Sequence, residues 1–177
     1  ISSQELPPKP PNIADDKDAR KDYRRACAQI HNKNANAFRE SCRTRMTLEV
    51  MRKFEHKTFY IPWSLDYRGR MYPLPSFITP QGTDFDKSLM RFHRESYMTP
   101  EAEQWLAFQV ATTYGLDKST MMERQEWVRD NHELISQVAL DPIGNLPLWE
   151  DVEEPWQFMA ACHEYYHCCI RKDKHTT

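Results

Sequence analysis

Twelve prolines stand against only four glycines in this chain, and that ratio limits what it can fold into. Proline fixes φ and lacks an N–H, so it starts and stops helices but is not tolerated inside them. Glycine supplies the left-handed turns on which phosphate-cradling loops depend. Helices and proline-stopped loops are therefore expected, not a glycine-rich nucleotide fold. The 177 residues suffice for one ordinary domain, and 40% apolar with 28% charged residues is a globular composition. No apolar run of about 18 residues occurs, so no membrane span is expected. No signal-peptide pattern opens the sequence. It starts at Ile1 and ends at His175-Thr176-Thr177 without a helix stop, so we expect a segment of a longer polypeptide.

Five cysteines (Cys27, Cys42, Cys162, Cys168 and Cys169) are unevenly spread and form no CxxC pair. That favours free thiols in a reducing cytoplasm over a disulfide framework or a cysteine-rich zinc site.

The net charge of −2 conceals an asymmetry. Lys17 to Lys57 holds 12 basic and 5 acidic residues, an excess of seven positive charges. Residues 58–177 hold 11 and 18, an equal excess of negative charge. A basic segment of this kind suits a polyanionic partner, although a solvated helix face has the same composition.

Leu6-Pro7-Pro8-Lys9-Pro10-Pro11 predicts an extended linker, or a strap laid over a partner surface. Asp15 or Asp16 is placed to cap a helix over about 16–33, with Tyr23, Ala26, Cys27 and Ile30 at helical spacing. A second helix is expected over about 35–55, with Phe38, Met46, Val50 and Phe54 on its apolar line and Arg39, Arg43, Arg45 and Arg52 elsewhere. Thr58-Phe59-Tyr60-Ile61 and Arg70-Met71-Tyr72 predict two short antiparallel strands around a loop. Asp84 is expected to cap a helix to about residue 94. Thr99-Pro100 is a strong helix start, and Gly115 a stop. Further helices are expected over about 119–140 and 156–171, separated by an acidic loop. Trp105, Trp127, Trp149 and Trp156 are read as core or interface anchors.

Asp66-Tyr67-Arg68-Gly69-Arg70-Met71-Tyr72 carries the most chemistry. Gly69 permits positive φ or close ligand approach. Arg70 presents a planar fork to phosphate or ribose oxygens, and Asp66 can orient it. Tyr72, two residues on, shares its strand face and can stack on a base or sugar. Such a site positions nucleic acid without reading sequence. An isolated D-x-x-G-R is more often a hairpin whose Asp–Arg pair only braces the turn.

Three stretches in order change that balance: Phe59-Tyr60-Ile61-Pro62, Asp66 to Pro73, and Pro80-Gln81-Gly82-Thr83-Asp84. Together they resemble the signature of bacteriophage and mitochondrial single-subunit, phage-type DNA-directed RNA polymerases. Glu153-Glu154-Pro155-Trp156-Gln157-Phe158 with Ala161-Cys162-His163-Glu164 resembles a further stretch of that family, and the Pro80-Gln81-Gly82 form is nearer its phage branch. The resemblance implies a mainly α-helical chain with a small antiparallel β element (α+β), part of a right-hand polymerase fold. Residues 1–57 would be a thumb-side strap with basic helices, and 58–177 the N-terminal part of the palm.

It also implies a transferase (nucleotidyltransferase) that carries out transcription, with DNA template, RNA transcript and ribonucleoside triphosphates as partners, besides the rest of the polymerase chain. Asp66, Gly69 and Arg70 would lie beside the template–product hybrid, with Arg68 and Tyr72 as neighbours. Arg39, Arg43 and Arg45 would track the hybrid or the exiting transcript. In this family Mg²⁺ is held by two palm aspartates, the first in a D-G-x-x-x-G-x-Q-H type motif that is absent here. No catalytic residue is therefore assigned, and the segment alone is expected to be inactive. The implied location is the cytoplasm of a phage-infected bacterium, with the mitochondrial matrix as the alternative.

His163-Glu164-Tyr165-Tyr166-His167 is a literal H-E-x-x-H, which would set two imidazoles on one helix face with Glu164 as base for a zinc-bound water. This keeps open a zinc metallopeptidase. Asp173 stands ten residues after His163, where a third ligand would be expected, and no glycine lies between, so ordinary helix histidines are favoured. Asp84 and Asp86 resemble a metal pair only if a third carboxylate joins them. A free-standing nucleic-acid-binding module is the other alternative.

Overall fold

The computed structural model describes residues 3–94 and 96–172, and the backbone of His175 and Thr176. It divides into two compact units, Ile1–Lys53 and Phe54–Thr177.

The first unit is the proline strap and helix α1, Lys17–Phe54, whose last residue opens the second unit. Asp16 caps α1, its Oδ1 accepting from the N–H groups of Asp18 (2.8 Å) and Ala19 (3.2 Å). Two helices were expected here, but α1 runs unbroken for 38 residues. The expected break around Lys33-Asn34 contains neither glycine nor proline, and one asparagine costs a helix well under about 1 kcal/mol. Asn34 does not compete for its own backbone either: its side chain donates to Gln4 O and accepts from Gln4 N, both at 2.9 Å. The strap is thus tied to its own helix. Thr47 is the buried residue of α1, whereas Phe38, Met46 and Phe54 on the expected apolar line are exposed.

The second unit begins with a hairpin of strands β1, Trp63–Leu65, and β2, Met71–Pro73. They pair antiparallel, with Trp63 opposite Pro73, Ser64 opposite Tyr72 and Leu65 opposite Met71. The first strand was expected at Thr58–Ile61 and lies further along the chain. Those residues have strand propensity, but the turn sets the register. Pairing spreads outward from residues 66–70 as far as Trp63, and Pro62 before it has no N–H to offer.

Helix α2, Asp84–Ser88, is shorter than expected, and its N-cap is Thr83, not Asp84. Thr83 and Asp86 form a reciprocal capping box. Strand β3, Ser96–Tyr97, pairs antiparallel with β4, His175–Thr176. Helix α3, Pro100–Tyr114, starts at the Thr99 cap and stops at Gly115, as expected. The helix expected over 119–140 is two: α4, Met121–Asp130, and α5, His132–Leu140. Asn131 separates them, its side-chain amide (2.8 Å) and backbone N–H (3.0 Å) both donating to Trp127 O. Helix α6, Pro155–Tyr165, passes into a π-helical turn, Tyr166–Ile170.

The core lies between α3, α4, α5 and α6, where Val110, Val128, Ile135, Val138, Phe158 and Cys162 are fully buried. Trp149 is buried with them, and Trp127 packs against them. Trp105 is 57% exposed and rests edge-on against Phe108. Arg124, only 5% exposed, binds the α3–α4 connection: it donates to Ser119 O (3.0 Å), Thr112 Oγ1 (2.7 Å) and Asp117 O. Its guanidinium also lies 4.1 Å from the Phe108 ring centroid.

Candidate nucleic-acid interface

The turn of the hairpin is closed by its own first residue. Asp66 Oδ1 accepts from the backbone N–H groups of Arg68 (2.8 Å) and Arg70 (2.9 Å). Asp66 N–H donates to Arg70 O at 2.9 Å, and Gly69 N–H to Asp66 O at 3.0 Å. The aspartate therefore braces the backbone and does not orient the Arg70 fork, as the sequence had led us to expect. A short polar side chain at the head of a turn does this readily.

Gly69 adopts φ +76°, in the left-handed region, and no atom lies within 4 Å of where a Cβ would stand. Conformation, not crowding, thus calls for glycine here.

Arg70 is exposed, and among the described residues its guanidinium has no partner. It occupies the last position of the turn, before β2 begins at Met71. Arg68 is also exposed, but its Nε donates to Tyr67 Oη at 2.8 Å, and its guanidinium lies 5.0 Å from that ring's centroid. Tyr67, 88% exposed, is a neighbour of Arg68 that the sequence reading did not single out. The signal was there, an aromatic directly preceding an arginine in the turn. Tyr72 lies on β2, 42% exposed, opposite Ser64. Arg39, Arg43 and Arg45 are exposed on α1 in the first unit.

Side chains link the 66–73, 80–84 and 153–158 stretches of the second unit. Gln81 Nε2 donates to Met71 O at 3.3 Å, joining the Pro80-Gln81-Gly82 loop to β2. From the same loop, Asp84 accepts from Trp156 N (2.8 Å) and Gln157 N (2.9 Å), the free N–H groups at the start of α6. Glu154 holds the cap position of α6 but makes no side-chain cap, so the cap comes from 72 residues earlier in the chain. Lys87 and Glu154 add an ion pair at 3.8 Å. Gly82 is required for a different reason from Gly69: a Cβ there would stand 2.6 Å from Asp86 Oδ2.

His163 and His167 have ring centroids 4.4 Å apart. Only His163 lies on α6; His167 belongs to the π-helical turn, so the regular helical face that H-E-x-x-H requires is not kept. Burial, then the neighbouring His167, holds the His163 imidazole below its ordinary pKa. Among the described residues no three His, Cys, Asp or Glu side chains converge as a metal-holding group. Asp173, weighed as a third ligand, lies outside the described residues. Asp84 and Asp86 both serve as cap acceptors.

Sequence comparison gives the family of the chain. Residues 97–176 match the family model described as DNA-dependent RNA polymerase. The chain is 31% identical over 160 residues to the mitochondrial DNA-directed RNA polymerase of Neurospora crassa, covering 90% of this chain and 11% of that protein. It is 32% identical over 166 residues to T7 RNA polymerase of Escherichia phage T7, covering 93% of this chain and 19% of that protein. With the mitochondrial enzyme of Schizosaccharomyces pombe it shares 33% over 128 residues, 72% of this chain and 11% of that protein. A 166-residue match necessarily takes in the 66–72 hairpin. The chain belongs to the family of phage-type single-subunit DNA-directed RNA polymerases. It spans between a tenth and a fifth of the length of these relatives.

Proposed function

We propose that this chain is a thumb-side and first-palm portion of a DNA-directed RNA polymerase, and that its hairpin positions the template–product hybrid. One observation carries the reading: a turn closed by its own carboxylate presents Arg70 outward with no protein partner among the described residues. A rigid turn of this kind holds a guanidinium ready for phosphate or ribose oxygens without reading bases. Arg68, steadied by Tyr67, and Tyr72 flank it. Arg39, Arg43 and Arg45, within residues 1–57, track the hybrid or the exiting transcript, and residues 58–177 form the start of the palm.

The parent enzyme takes DNA as template and ribonucleoside triphosphates as substrates, and releases RNA. Mg²⁺ would supply charge neutralisation for phosphoryl transfer. The carboxylates near the hairpin do not fit that role, because Asp66, Asp84 and Asp86 are engaged by backbone N–H groups. The metal therefore belongs to residues outside this segment. The parent works in the cytoplasm of a phage-infected bacterium or in the mitochondrial matrix, and the Pro80-Gln81-Gly82 form favours the first.

The test is Arg70→Ala in the full-length polypeptide. Transcript extension is expected to fall more than promoter binding, since the contact is to the hybrid. Equal losses in both would overturn the assignment.

A further inference from the structure

We infer that the loop Arg91-Phe92-His93-Arg94, together with Lys57, is a second nucleic-acid contact, taking an unpaired polynucleotide strand. The inference rests on the polymerase reading above but uses a different surface. All four loop residues are exposed, and Phe92 is 83% exposed. The loop is bolted in place by a hydrogen bond between His93 Nδ1 and Thr58 Oγ1 at 3.0 Å. That bond sets the loop against the segment carrying exposed Lys57 and Tyr60, the latter 90% exposed.

The charge balance there is lopsided. Between residues 58 and 94 the acidic residues are Asp66, Asp84 and Asp86, and each carboxylate already accepts from at least one backbone N–H of a turn or helix start. Among the described residues, neither Arg91 nor Arg94 has an ion-pair partner. Glu95, which follows, lies outside the described residues.

An exposed phenylalanine alone would suit an apolar protein partner. Flanked by Arg91 and Arg94, it does not, because a dry interface would have to bury two uncompensated charges. Phosphates compensate them, and an aromatic ring offers a stacking face that every base can use. Stacking requires an open base, so the partner is a single strand and not a duplex.

The test uses the full-length polypeptide and short labelled single strands of RNA and of DNA, with affinity measured across salt concentration. R91A/R94A is expected to weaken single-strand binding and to reduce the slope of log K against log salt by about 1.4, two phosphate contacts' worth. R91K/R94K should keep the wild-type slope. Phe92→Ala should weaken binding about five- to a hundredfold at unchanged slope. An effect on RNA alone makes the transcript the occupant; an effect on DNA as well makes it a template or displaced DNA strand. The inference is overturned if R91A/R94A leaves the slope unchanged, or if Phe92→Ala alters thermal stability but not binding. If that happens while Arg70→Ala still impairs extension, only the second contact is wrong. If Arg70→Ala has no effect but R91A/R94A flattens the salt dependence, the strand contact stands and the hybrid role falls.

Discussion

Asp84 is where one side chain should matter most to stability. Its carboxylate receives two N–H groups at the start of α6, at 2.8 and 2.9 Å, while the local cap residue Glu154 contributes none. Asp84→Ala removes a cap, costing about 1 kcal/mol. It also removes a negative charge from a helix N-terminus, for about 0.5–1 kcal/mol more. The sum is about 2 kcal/mol, or about 6–10 °C in Tm for a unit of this size. Asp84→Asn keeps one acceptor and loses the charge, so about half of that loss is expected. Lys87→Ala removes only a half-exposed ion pair at 3.8 Å and should cost at most about 0.5 kcal/mol. Urea unfolding followed by tryptophan fluorescence is the natural assay. Trp156, at the cap itself, has ring centroids 5.1 Å from Phe85 and 5.6 Å from Trp149. An Asp84→Ala midpoint that corresponds to less than about 0.3 kcal/mol of destabilisation would refute the long-range cap.

Three other outcomes are expected. Gly82→Ala forces a Cβ to 2.6 Å from Asp86 Oδ2, so the capping box must open, and about 2 kcal/mol should be lost in the same unfolding assay. Arg124→Met leaves Ser119 O, Asp117 O and Thr112 Oγ1 without their donor and removes the contact with Phe108; about 3 kcal/mol is expected, read as a lowered Tm. His163, whose folded pKa lies below its ordinary 6.5, binds fewer protons folded than unfolded. Its contribution is therefore present above pH 6.5 and lost as pH falls from there toward the lowered value, and His163→Gln should flatten the stability profile in that window.

What the sequence disclosed follows from the range of the interactions involved. The Thr99 cap with Pro100 and the Gly115 stop depend on neighbouring residues alone, and both were legible. So was the turn between the two strands, because its aspartate and glycine lie within a few residues of each other. The first strand was misplaced because β-propensity at Thr58–Ile61 says nothing about register, which Asp66 decides from the turn. The partner of Asp66 was misjudged for a related reason: a backbone N–H is invisible in a one-letter code, whereas an arginine is conspicuous. The strap is held where Asn34 meets Gln4, 30 residues earlier, and the α6 cap comes from Asp84. No local pattern carries either. The Phe38, Met46 and Phe54 line has helical spacing, yet these side chains are exposed, since periodicity marks a face without saying what covers it.

The proline strap behaves like a buckled belt. One end is fastened where Asn34 holds Gln4, and the other where Arg20 donates to the carbonyls of Ile13 and Ala14. The two fastening points on α1 are 14 residues apart, about 21 Å along a helix. The extended stretch from Gln4 to Pro10 reaches about 19 Å, and the hydrogen-bonded turn at 11–15 closes the rest, so there is almost no slack. Shorten the belt by three, and it can close at one end only.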